Sequence, residues 1–261
     1  MKLIVIGATG HLGGEVARRA SGFEVVAASR ATGLDVRDQF AVHALFQQVR
    51  PAAVINSAYQ RDSWAAMADG AANVAAAAAA VGARLVHVSS DAVHSGRPQW
   101  YTEADEPDPI TPYGAAKAAA ETAVAAVDPS AAIVRTSIIL GDETTTHIRL
   151  VLDLINGAPG YLFTDEIRCP VGGGDLAEAI LELVGNDYAG IIDIAGPDAV
   201  NRVVLGRLIA SRYGLAPNFK TCTIAESGLT RPGEVKLDSA RARGFLRTRI
   251  RGAIELLSGA P

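Results

Sequence analysis

Six short runs rich in valine and isoleucine set the frame of this chain: KLIVIG from Lys2, EVVAAS from Glu24, AAVINSA from Ala52, ARLVHVSS from Ala83, AAIVRTSIIL from Ala131 and GIIDIAG from Gly190. Their apolar residues are continuous rather than alternating, which marks strands buried on both faces. Helical stretches lie between them, over 13–20, 39–49, 64–81, 113–127 and 174–184. Strand alternating with helix predicts a parallel sheet built from right-handed βαβ units. The expected class is therefore α/β, a Rossmann-type doubly wound sheet. Such sheets take ligands at the carboxyl ends of their strands, so the residues just after each run carry the most information.

A chain of 261 residues has ample length for a real core. Apolar residues make up 49% of it and aromatics only 5%, so alanine fills the difference and the helices should pack closely. The net charge of −4 gives no reason to expect nucleic acid or an anionic membrane as a partner. DSARARGFLRTRIRG, near the end, is the one basic run, and its interleaved apolar residues favour a docked segment with a solvated arginine face over a polyanion site. Cys169 and Cys222 belong to no C-x-x-C pair or histidine cluster, so neither a disulfide framework nor a metal site is expected. Reduced thiols suit a cytoplasmic protein. The first apolar stretch is too short for a signal peptide, and no stretch approaches the length of a bilayer span. A homodimer is compatible with all of this.

VIGATGHLGGEV follows the first run directly and opens a helix. Gly7 permits the tight turn, Gly10 lets the backbone approach a pyrophosphate, and Gly13 allows helix to pack on strand. Thr9, His11 and Leu12 complete the loop, whose free N–H groups and helix dipole favour phosphate. The second run ends in Ser29 and Arg30, where an NAD-selective site usually places a carboxylate. A guanidinium and a hydroxyl there suit the 2′-phosphate of NADP(H) over NAD(H), against the alternative of a solvent-facing arginine. Asp35 and Val36 are placed to edge the adenine. Asn56, Ser57, Ala58 and Tyr59, after the third run, lie where ribose and phosphates pass or form a plain turn. Residues 1–141, completed by 172–211, are assigned to this dinucleotide-binding domain. Segments 142–171 and 212–261 break the alternation and are assigned to a small interleaved substrate lobe.

TPYGAAKAAAETAV places Tyr113 and Lys117 four residues apart in a helical stretch. Such residues share a face, roughly 6 Å from each other. A lysine ammonium beside a phenol is expected to lower its pKa and make it a proton donor and acceptor near neutral pH. Ser90, at the end of the fourth run, meets the tyrosine over the sheet edge. Serine, tyrosine and a nicotinamide hydride suffice to reduce a ketone: Ser90 and Tyr113 bind the carbonyl oxygen, Tyr113 supplies the proton, and Lys117 also binds the nicotinamide ribose.

The glycine loop, VSSD, YGAAKAAAE and IVRTS together resemble the extended short-chain dehydrogenase/reductases, and within them the dTDP-4-dehydrorhamnose reductase family. The family pattern of Ser-Thr-Asp, Tyr-Gly-x-x-Lys-x-x-x-Glu and Arg-Thr-Ser reads here as Ser89-Ser90-Asp91, Tyr113 through Lys117 to Glu121, and Arg135-Thr136-Ser137. The resemblance implies reduction of a 4-keto sugar nucleotide with NADPH by Ser90, Tyr113 and Lys117. It also puts Arg231, in RPGEVKLD, near the sugar-nucleotide site as an anchor for phosphate. Asp91 either orients a sugar hydroxyl or caps a turn, and His94 either contacts substrate or bonds to backbone. Two aromatic family positions read Ala92 and Ile138, which implies a changed substrate wall and a phosphate-bearing ketone unlike the rhamnose precursor. A reductase of another metabolite and a non-catalytic, cofactor-binding regulatory subunit are the competing readings.

Overall fold

In the computed structural model, which describes residues 1–258, six parallel strands form the central sheet. They are β1 Lys2–Ile6, β2 Glu24–Ala28, β3 Ala53–Asn56, β4 Arg84–Val88, β5 Ala132–Thr136 and β6 Gly190–Ile194. Their order across the sheet is β2-β1-β3-β4-β5-β6, each pair parallel. The chain runs from β1 out to β2 and returns past β1 to β3, so the switch point lies between β1 and β3. At the top of that crevice Ile6 pairs with both Ala28 and Asn56.

Successive residues of a strand point to opposite faces, and here both faces are apolar. Leu3 and Val5 join Ile55, Val86 and Val134 on one face, under helices α1 (His11–Arg19) and α6 (Gly173–Val184). Ile4 and Ile6 join Val54, Leu85 and Ile133 on the other, under α2 (Gln39–Val49), α3 (Gly70–Val81) and α4 (Pro112–Val127). Ala71, Ala75, Ala78 and Ala120 are wholly or nearly buried there, so alanine lets the helices approach the sheet closely.

Two expected elements change on folding. The run over 64–81 becomes regular α-helix only from Gly70, after a wide turn at Ala65–Asp69. The fifth run divides: β5 ends at Thr136, and Ile139–Leu140 pairs instead with Val171–Gly172.

A separate core gathers α5 (Thr146–Ile155), α7 (Arg202–Arg212) and the terminal helix Ala253–Ser258, through Ile148, Val151, Leu154, Leu205, Ile209 and Leu257. Helix α7, grouped with the sheet domain by the sequence pattern, therefore packs on α5. Short ladders tie the late segment to earlier ones: Lys236–Leu237 pairs with Trp100–Tyr101, and Thr221–Cys222 with Leu162–Phe163. No helix of the described residues is long and apolar enough to cross a membrane.

Candidate active site

The glycine loop occupies the β1/β3 switch point. Gly7 has φ +82°, and a Cβ there would lie 2.6 Å from the carbonyl oxygen of Ser57. A Cβ on Gly13 would collide with the carbonyl of Gly7, so both positions require glycine. Ser57 Oγ donates to the Ile6 carbonyl at 2.7 Å and locks the two strand ends together. Helix α1 starts after Gly10 with no side-chain cap and no acid in its first turn. Its first intrahelical bond is Gly14 N to Gly10 O, 2.9 Å, which leaves the N–H groups of His11, Leu12 and Gly13 at the open helix end. Thr9 is exposed beside them. The side chains of His11 and Leu12 turn elsewhere: Leu12 is in the core, and the His11 ring fills the space against Gly141 and Gly173. Only their backbone faces the loop. A backbone cradle of this shape fits a dinucleotide pyrophosphate.

At the end of β2 the Ser29 hydroxyl accepts from Thr32 N, 3.3 Å, and caps the short turn Arg30–Thr32. Arg30 is exposed at its start. The next carboxylate, Asp35, is held by Arg37 Nε at 2.9 Å, and that bond lowers its pKa to about 2. Val36, expected to edge the adenine, is instead 7% exposed and lies in the core, pressed against the start of α3 where Gly70 leaves room. Asn56 is also committed internally. Its Nδ2 lies 3.3 Å from His87 Nδ1, and its Oδ1 accepts from Ala58 N at 3.2 Å. Tyr59 is exposed and meets the Tyr113 ring edge-on, 5.8 Å between centroids.

Tyr113 stands in the first turn of α4, which Thr111 caps by accepting from Gly114 N at 3.1 Å and which Pro112 opens. The Ser90 hydroxyl, at the end of β4, lies near enough to the Tyr113 phenol to favour its ionised form. Lys117 is buried one turn on, and its Nζ donates to the Val88 carbonyl at 2.8 Å. Serine, tyrosine and lysine thus converge at the carboxyl edge of β4. The expected electrostatics do not hold. Burial pushes the phenol of Tyr113 well up, and Ser90 and Arg61 offset this only in part. Burial also lowers Lys117, to about 8. Desolvation wins because both groups leave water.

Asp91 is buried and accepts from Ser137 Oγ at 2.7 Å and from Ser90 Oγ at 3.3 Å, with Arg168 Nε at 3.6 Å. Its contacts are those of a residue that fixes the turn bearing Ser90. His94 corrects the expected substrate contact: its side chain is fully buried, stacked on Tyr101 at 4.0 Å and 3.5 Å from Arg135 Nη1. Burial and Arg135 lower it to about 4, so it is a neutral core histidine. Arg135 is itself fully buried and paired with Glu121 at 2.9 Å, while Ser89 Oγ donates to Glu121 at 2.5 Å. Ile138 is buried in the core around α5.

Arg231 belongs to a cluster of charged side chains around Glu166. Its Nε donates to Glu166 Oε2 at 2.6 Å, and its guanidinium lies 4.9 Å over the Phe163 ring. Glu166 also faces Arg168 at 3.7 Å and Arg202 at 3.8 Å. Glu166, Arg168, Arg202, His147 and Arg61 were not singled out by the sequence pattern. Each lies in a segment without a periodic signal or at an element boundary, and folding alone brings them together.

Residues 1–252 match the family model described as the RmlD substrate binding domain. The chain is 30% identical to a dTDP-4-dehydrorhamnose reductase of Mycobacterium tuberculosis, over 83% of this chain and 77% of that protein. It is 31% identical to methionine adenosyltransferase 2 subunit beta of Rattus norvegicus, over 92% and 81%. A crystal structure of dTDP-4-dehydrorhamnose reductase from Bacillus anthracis in complex with NADP superposes with a TM-score of 0.90 at 26% identity, covering 98% of this chain and 96% of that one.

Proposed function

This chain belongs to the RmlD substrate binding domain family, among the extended short-chain dehydrogenase/reductases, and on that premise we propose how its residues divide the work. The protein is an NADPH-dependent ketoreductase of the sugar-nucleotide type. When bound, NADPH supplies the hydride that goes to the carbonyl carbon. The pyrophosphate is held by the backbone of Gly7, Gly10 and Gly13 and the open end of α1. Arg30 and the Ser29 turn receive the 2′-phosphate. Ser90 donates to the substrate's carbonyl oxygen, and Tyr113 delivers its phenolic proton there, leaving an alcohol. Lys117, fixed by Val88, keeps further N–H donors for the ribose. Arg231 anchors phosphate.

The observation that carries this reading is Ser90 beside the Tyr113 phenol, with Lys117 held at the same strand end, at the same sheet edge as the glycine cradle. A buried phenol stays protonated near neutral pH, which is the form that reduction needs. Two free cysteines suit a cytoplasmic setting. The small Ala92 supports a substrate wall that differs from the rhamnose type, whereas Ile138 belongs to the core around α5. The test is NADPH oxidation across a panel of 4-keto sugar nucleotides and neutral ketones. Turnover of a nucleotide-linked ketone is expected, with Arg231→Ala raising KM. Preference for uncharged ketones, unmoved by Arg231→Ala, would remove the phosphate anchor.

The similarity to methionine adenosyltransferase 2 subunit beta supports a second reading, a cofactor-binding regulatory subunit. Tight NADPH binding with no turnover on any ketone, together with a stable hetero-complex, would select it.

A further inference from the structure

Helix α4 meets the end of β4 at successive points, and one of them has no part in the proton or hydride step. Tyr113, Lys117 and Glu121 stand four residues apart and share a face of α4. Val88 ends β4 opposite them, and Ser89 and Ser90 follow it. Ser90 lies beside the Tyr113 phenol. The Val88 carbonyl accepts from Lys117 Nζ at 2.8 Å. Ser89 Oγ donates to Glu121 Oε1 at 2.5 Å, and both of these side chains are buried. Arg135, on β5, holds the same carboxylate from the other side. Its Nε donates to Oε1 at 3.1 Å and its Nη2 to Oε2 at 2.9 Å, a fork that gives the carboxylate one orientation. The guanidinium is fixed in turn, since Arg135 is fully buried and its Nη1 donates to the Asp105 carbonyl at 3.1 Å. A buried ion pair is often no more stabilising than apolar side chains of the same volume, so stability alone does not account for this one. What it supplies is direction.

We propose that Glu121 is a positioning residue: its carboxylate, locked by Arg135, braces the strand end that bears Ser90 against the helix that bears Tyr113 and Lys117. The proposal deepens the reductase reading and rests on it for the roles of Ser90 and Tyr113. The backbone N of Ser89 donates to the Val134 carbonyl at 2.7 Å, so the sheet ladder fixes this strand end against β5. The ladder leaves open how near the strand end stands to α4. The Ser89 hydroxyl closes that freedom, because Glu121 Oε1 accepts only where Arg135 has placed it. Ser90 follows Ser89 directly in the chain and takes its place from it. Glu121 touches no reacting atom in this scheme and acts through Ser90.

Removing Glu121 outright would strand the Arg135 charge in the core, so Ser89→Ala is the first variant. It cuts the brace on the strand side and leaves the ion pair whole. In NADPH oxidation with a 4-keto sugar nucleotide, kcat is expected to fall about ten- to a hundredfold while KM and NADPH affinity stay within about twofold. Ser89→Thr, which keeps the hydroxyl, is expected to recover most of the loss. In a Ser90→Ala background Ser89→Ala should cost little more, because the brace acts through Ser90. Glu121→Gln, which loosens the Arg135 fork, should lower kcat by a similar factor and add little to Ser89→Ala. Parental kcat in Ser89→Ala overturns the brace. So does the same fold loss with and without Ser90, which would mark general damage, and so do additive losses for Ser89→Ala and Glu121→Gln. A crystal structure of NADP-loaded Ser89→Ala reads the brace without turnover: the Ser90 hydroxyl should move from the phenol by up to about an ångström, and a Ser90 that keeps its place overturns the brace whatever the parent reduces. Brace and reductase readings therefore fail separately. If Ser89→Ala displaces Ser90 but the parent reduces no ketone, the brace stands and the reductase reading falls. If parent and Ser89→Ala reduce the ketone at one rate, the reverse holds.

Discussion

Gly114 follows the proposed proton donor and marks where α4 comes nearest the turn that carries Ser90. A Cβ on Gly114 would penetrate the carbonyl oxygen of Ala92 and lie 3.0 Å from both the Ala92 carbonyl carbon and Pro109 Cβ. Ala92 N in turn donates to Ser90 Oγ at 3.2 Å. Two effects of Gly114→Ala oppose each other. Alanine is the better helix former by about 1 kcal/mol, and the backbone of Gly114 is an ordinary helical one. Overpacking against a rigid backbone carbonyl costs about 1–3 kcal/mol. The clash should win slightly, for a net loss of about 1 kcal/mol. The functional loss should be much larger. An ordinary carbon–oxygen contact lies near ~3.3 Å, so helix and turn must part by about an ångström. That shift separates Tyr113 from Ser90, and a misplacement of this size costs about 10²-fold in rate. The assay is NADPH oxidation at saturating ketone, with NADPH binding followed by fluorescence and stability by thermal melting. Binding should persist and kcat should fall about a hundredfold while the melting temperature moves only a few degrees. Gly185→Ala is the control, because its Cβ would sit an ordinary 3.6 Å from Glu182 O. Parental kcat in Gly114→Ala would show that the Ser90–Tyr113 spacing does not govern the reaction.

Tyr113→Phe keeps the ring and removes the proton; ketone reduction should fall about 10²- to 10⁴-fold with NADPH binding intact, and a parental rate would remove Tyr113 from the mechanism. Arg30→Ala should weaken NADPH about ten- to a hundredfold more than NADH; equal losses for the two cofactors would end the 2′-phosphate assignment. Asp193 is fully buried on β6, neither carboxylate oxygen has a partner among the described residues, and burial, then Glu103, raises its pKa from 3.8 to about 8. The folded state therefore keeps a proton that the unfolded chain releases, so this group's contribution is full below the unfolded pKa and is lost as pH rises toward 8. Asp193→Asn should flatten the fall in melting temperature between about pH 5 and 8; an unchanged slope would place the proton elsewhere.

The sheet was legible because burial on both faces leaves a local mark. Runs such as LIVI and AVIN can be read without knowing their neighbours, and each became a strand within a residue or two of the expected end. The glycine loop was legible for a similar reason, since the collision at Gly7 is written in the residue type. The charged cluster around Glu166 left no such mark. Glu166 meets Arg231 from 65 residues away, and Arg202 meets His147 from 55. Their contacts depend on how α5, α7 and the short ladders cross, which no spacing encodes. His94 and Val36 failed for the converse reason. Each follows a functional motif in the chain, yet the chain turns inward there and buries the side chain.

The Tyr113–Lys117 pair shows where spacing stops being enough. Four residues along a helix do bring the two onto one face, and both reach the same strand edge. Whether the ammonium or desolvation sets the phenol is not a question of spacing. In water the nearby cation would favour the phenolate. Here Lys117 is 4% exposed and spends a hydrogen on Val88, while the phenol is pushed up by its own burial. The charged form of each group is penalised, so the pair is poised with a protonated tyrosine and a lysine that gives up its proton more readily than usual. A protonated phenol suits the acid role proposed for Tyr113, and each turnover then requires that the lost proton be replaced. Lys117, lowered to about 8 by its burial and one turn along the helix, is a group that could return one. Under the proposed reading the lysine's part is then to reload the tyrosine and hold the ribose, rather than to acidify the phenol before substrate arrives.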